Sequence, residues 1–82
     1  MSSTQVNLLK AIYQKEKQLT AAGVMRQYSL GTPRNVSKNR LVLEGRDMII
    51  KEESGIYEFL DPAFELWLGK QYFQVQWVAA ID

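Results

Sequence analysis

The chain contains no cysteine and no histidine. The first absence excludes disulfides and thiolate metal sites; with the second, zinc binding or general-base chemistry would rest on carboxylates alone. Its five glycines, at 23, 31, 45, 55 and 69, are isolated, so it has no Gly-x-x-x-x-Gly-Lys-Ser/Thr loop to cradle the phosphates of ATP. No apolar run approaches the roughly 18 residues needed to cross a membrane, and Met1-Ser2-Ser3-Thr4 lacks the basic-then-apolar layout of a secretory signal. These absences argue against a small enzyme and lead us to expect a cytoplasmic protein with no membrane partner.

Its 82 residues suffice for one small domain, 1–82, whose core alone gives marginal stability. A hydrophobic content of 46% with 23% charged residues fits a folded globular chain and not a disordered one. The net charge of +1 hides an asymmetry. Residues 1–51 carry nine of the ten Lys and Arg against Glu16, Glu44 and Asp47, a balance of +6, whereas residues 52–82 carry Lys70 against six carboxylates, a balance of −5. A basic front and an acidic back can steer an anionic partner to one face, or attract each other.

Apolar spacing at Val6, Leu8, Leu9, Ile12 and Tyr13 predicts a first helix over about 4–17, with Ser3 or Thr4 as its cap. A second helix is expected over about 21–28 and, after Ser29-Leu30-Gly31, a third over about 33–44. Thr32-Pro33 opens that third helix with a hydroxyl cap and a proline at the first position, where no amide donor is required, and Gly45 is expected to close it. Val36, Leu41, Val42 and Leu43 read as its apolar side. Met48 to Glu52 and Ile56 to Leu60 read as the strands of a hairpin over about 48–60, turning at Glu53-Ser54-Gly55. Asp61-Pro62 then repeats the cap-and-proline signal for a C-terminal helix over about 62–70. The fold class that follows is mainly α with a small β-hairpin: a winged helix-turn-helix with a three-helix core, a wing and an extra C-terminal helix. In the tail, 71–82, Phe73, Val75 and Trp77 alternate as in a strand, while Phe64, Trp67, Leu68, Val75 and Val78 also fit one long helix.

Tyr28-Ser29-Leu30-Gly31-Thr32 leading into Asn35-Val36-Ser37-Lys38, then Leu43, Met48-Ile49 and the run from Tyr57 through Asp61-Pro62-Ala63-Phe64-Glu65-Leu66-Trp67-Leu68, carry a resemblance. Over roughly residues 4–73 the chain resembles the C-terminal winged-helix domain of predicted AAA+ (STAND-type) P-loop ATPases of archaea and bacteria. The resemblance implies a fragment of a larger protein whose preceding ATPase domain is its partner, with ATP and Mg belonging to that domain and no cofactor in this chain. Where relatives tend to place an apolar residue near position 39, this chain has Asn39 beside Arg40.

Arg34, Asn35, Ser37, Lys38 and Asn39 are the candidate nucleic-acid or partner contacts on the third helix, since guanidinium can pair with guanine and amide with adenine. A wing that touches phosphates usually carries Lys or Arg, yet this one reads Glu52-Glu53 at its turn, which argues against tight DNA binding. Arg40 and Arg46 read as surface ion pairs with Glu44 or Asp47 more readily than as nucleotide contacts. Phe64, Trp67 and Leu68 are expected to fill the core, leaving Tyr72, Phe73 and Trp77 as a candidate interface. The expected function is a non-catalytic winged-helix module mediating protein or weak nucleic-acid contacts; the alternative is a free-standing DNA-binding transcriptional regulator.

Overall fold

A computed structural model describes residues 2–73. Helix α1, Ser3–Tyr13, starts from Ser2: the Ser2 hydroxyl accepts from the Gln5 amide at 3.2 Å, and the Gln5 side chain accepts in return from the Ser2 amide. This capping box lies one residue ahead of the expected caps. The helix also stops four residues earlier than its apolar pattern suggests. Lys15 adopts a left-handed conformation (φ 62°), Lys15 N–H donates to Ile12 and Glu16 N–H to Ala11, closing a Schellman turn. The physical reason lies downstream: the reversal brings Leu19 into the core beside Leu8, Leu9 and Ile12, which a helix continued to Lys17 would prevent.

Helix α2, Ala22–Tyr28, buries no residue completely and docks through Val24, Met25 and Tyr28. It ends in a second Schellman turn with Ser29 in the left-handed region. Gly31 follows at φ 88°, where a Cβ would stand 2.7 Å from the side-chain Nδ2 of Asn35. Thr32 then caps α3, Pro33–Gly45, by accepting from the Asn35 amide at 3.2 Å. Gly45 does not supply the left-handed residue that reverses the chain; Asp47 does (φ 57°), with Met48 N–H donating to Leu43.

Strands β1, Ile49–Lys51, and β2, Tyr57–Phe59, pair antiparallel with Ile49 opposite Phe59, Ile50 opposite Glu58 and Lys51 opposite Tyr57. The period of two puts Ile49, Lys51, Tyr57 and Phe59 on the inner face, and Ile50 outward. Asp61 Oδ1 accepts from the Ala63 amide to open α4, Pro62–Phe73, which runs three residues past its expected end and stacks Phe73 on Tyr13 at 4.7 Å. Gly69 is buried against Tyr13, whose ring a Cβ at that position would force to shift. The core is one cluster in which α1 is central, joined by Leu30, Val36, Leu43, Ile49, Tyr57 and Leu68. The element order is that of a winged helix.

Two apolar residues sit elsewhere than their spacing suggested. Leu41 is 61% exposed, because at about 100° per residue it lies about 160° around α3 from buried Leu43. Trp67 is 50% exposed, whereas Leu68 beside it is buried, so only part of the Phe64, Trp67 and Leu68 set enters the core. Helix α4 meets the domain along the Leu68-Gly69 edge, and one residue earlier the side chain has already reached the rim. Trp77 lies outside the described residues.

Candidate functional site

Three surfaces offer chemistry. The first is the outward side of α3. Arg34, Asn35, Ser37 and Lys38 are all exposed, and Asn39 is half-buried. The structure does not gather all five in one place. Asn35, Lys38 and Asn39 share a shallow concavity of about 330 Å³ with the start of α1, whereas Ser37 opens into a different cleft on the wing side. Leu41, missed by the sequence reading, stands on the same outward side; its spacing of seven from Arg34 was the signal. Arg34 and Lys38 enter no ion pair among the described residues.

The second is that wing-side cleft, about 540 Å³, walled by the α1–α2 connection, α3 and the hairpin. Tyr57 is buried at its base. Arg40 donates through one terminal nitrogen to the Tyr57 hydroxyl at 2.7 Å and to Glu44 at 3.4 Å, which is how a polar residue occupies a half-buried position on α3. Arg40 thus makes the expected ion pair with Glu44; its bond to Tyr57 was not legible because it joins residues 17 apart in sequence. At the tip of the hairpin, Glu52 and Glu53 are exposed, and Gly55 (φ 91°) lets its amide close the turn onto Glu52.

The connection walling this cleft is pinned by Tyr28, whose hydroxyl donates to Glu16 at 2.9 Å. Burial, then that hydrogen bond, then the negative charge of Glu16 push the Tyr28 phenol above its ordinary value of 10.0. A raised folded-state pKa means the contribution is complete below about pH 10 and is lost as pH rises through the folded value. Tyr28→Phe is therefore expected to lose about 1 kcal/mol at neutral pH and to show a smaller alkaline fall in stability than the parent, read from urea midpoints between about pH 8 and 11.

The third surface is apolar. Val6 and Leu9 of α1 and Phe64, Trp67, Leu68 and Tyr72 of α4 enclose a groove of about 230 Å³. Trp67 lies between Phe64 (5.7 Å) and Tyr72 (6.1 Å), and Lys10 sits 4.5 Å from the Tyr72 ring centre. Trp67 and Tyr72 remain exposed in its lining, and Leu66 is exposed on the opposite side of α4. Phe73, in contrast, is half-buried against Tyr13. Among the described residues no helix is long and apolar enough to cross a membrane.

A family model described as a probable winged helix domain matches residues 1–70. No curated protein and no solved structure matches the chain.

Proposed function

The chain belongs to the family of probable winged helix domains, and from that premise we propose that it is a non-catalytic interaction module whose main contact is with protein, through α4. The observation that carries this reading is the exposure of Trp67 and Tyr72 in the lining of an apolar groove. Large aromatics left half in water at the edge of a packed core are the residue types that anchor protein interfaces, and scattered surface leucines are not. Following the sequence resemblance, the partner is the ATPase domain of a longer P-loop protein, or an effector that responds to it. ATP and Mg would be held by that domain, since this chain has no phosphate loop.

The alternative, a free-standing DNA-binding regulator, is favoured by the outward Arg34, Ser37 and Lys38. Two features weigh against it. Glu52 and Glu53 stand at the wing tip, where a DNA-binding wing needs cations, and Leu41 interrupts the polar face of α3. We expect a Kd of about 10 to 100 μM for any duplex at about 150 mM salt, with a log-log salt slope near −3 and little sequence preference. Fluorescence anisotropy with two unrelated duplexes checks this. A nanomolar Kd for one of them at that salt would promote the regulator reading.

A further inference from the structure

The wing-side cleft carries an inference that does not depend on the role of α4. Its charged lining residues, Lys17, Arg40 and Lys51, are all cations, contributed by three separate parts of the chain. Lys51 arrives there because it faces Tyr57 across the hairpin, on the inner side of the sheet. Lys17 and Lys51 are exposed and enter no ion pair among the described residues. Of the nearby carboxylates, Glu16 is taken by Tyr28, Glu52 belongs to the wing turn, and neither lines the cleft. Glu44 offsets part of the charge of Arg40, so the surplus rests on the two lysines.

Arg40 supplies direction as well as charge. Its bonds to Tyr57 and Glu44 leave from one terminal nitrogen, so the guanidinium is fixed while its other terminal nitrogen and Nε keep their donors. A planar fork held in place loses little entropy on engaging an oxyanion, and concave walls strengthen the field of the flanking ammonium groups. Ser37 and Thr20 add hydroxyl donors to the same lining.

We infer that this cleft binds a phosphate group, with Lys17 and Lys51 as a clamp and Arg40 as the orienting donor. A volume of about 540 Å³ is larger than phosphate alone requires and suits a nucleotide-sized ester. The acidic wing tip opposes a long polyanion crossing it, which favours a discrete ester over an extended strand, though both present the same phosphate chemistry. Among the described lining residues none is placed to act in hydrolysis, and the role inferred for the cleft is binding.

The test is titration of the ¹⁵N-labelled chain with pyrophosphate, AMP and a short DNA duplex, in separate arms. Pyrophosphate and AMP should shift the amides of Lys17, Thr20, Ser37 and Lys51. The Lys17→Ala/Lys51→Ala pair should weaken binding at least about tenfold, as expected for loss of charge-assisted contacts, while an Arg34→Ala/Lys38→Ala pair leaves it within about twofold. Arg40→Lys keeps the charge without the fork and should weaken binding several-fold while lowering the melting temperature by no more than about 5 °C, the scale of one lost hydrogen bond. Shifts of these residues by duplex alone would retain the phosphate site and assign its source to nucleic acid. No shift in any arm, or equal affinity after removal of both lysines, would overturn the inference.

Discussion

Leu68→Ala is expected to destabilise the domain by about 3 kcal/mol, while Trp67→Ala, one residue earlier and a far larger truncation, costs about 1 kcal/mol. Leu68 is 1% exposed and joins α4 to the central cluster, so its removal leaves a cavity inside a set of fully buried side chains. Trp67 keeps half its surface in water, so truncation forfeits contact with Phe64 and Tyr72 and opens no internal void. In a domain of this size about 3 kcal/mol corresponds to roughly 15 °C in Tm, and thermal melts of the two variants side by side resolve the contrast. Equal losses would mean that α4 packs through its aromatic side, and would remove the surface proposed for partner contact.

Tyr57→Ala should cost about 3 to 5 kcal/mol, the range for a core aromatic. Two losses add: the ring is 6% exposed between α3 and the hairpin, and the phenol is the closest hydrogen-bond partner of Arg40. Tyr57→Phe separates them. It keeps the ring and removes only the hydroxyl, and because the Arg40 side chain is 30% exposed, water and Glu44 can take over its donor, so a cost of about 1 kcal/mol is expected. Tyr57→Phe also loosens the guanidinium, so phosphate affinity in the cleft should fall while the fold persists. Chemical denaturation of both variants checks the energies.

The framework of the fold was legible because its signals are local. Thr32-Pro33 and Asp61-Pro62 mark helix starts through chemistry contained within four residues, and both open helices where expected. Helix ends were harder to read. Lys15, Ser29 and Asp47 take left-handed positions that glycine would occupy more cheaply, so no residue type announced the turns, and Gly45 pointed two residues too early. The site was less legible still. Lys17, Arg40 and Lys51 are scattered over 35 residues and meet only after the helix-turn-helix and hairpin have closed. Leu41 and Trp67 were assigned inward because they are apolar; their angular positions on α3 and α4, set by the tertiary edges at Leu43 and Leu68, decided otherwise.

The central claim is that α4, and not the outward face of α3, is the main contact surface of this winged helix. Selection of the domain against a randomised duplex library at about 150 mM salt tests it most directly. The account predicts that no motif is enriched over successive rounds, because the acidic wing tip opposes the close docking that base readout by α3 would need. A defined motif whose enrichment disappears in Arg34→Ala or Asn35→Ala would contradict it and identify α3 as a recognition helix.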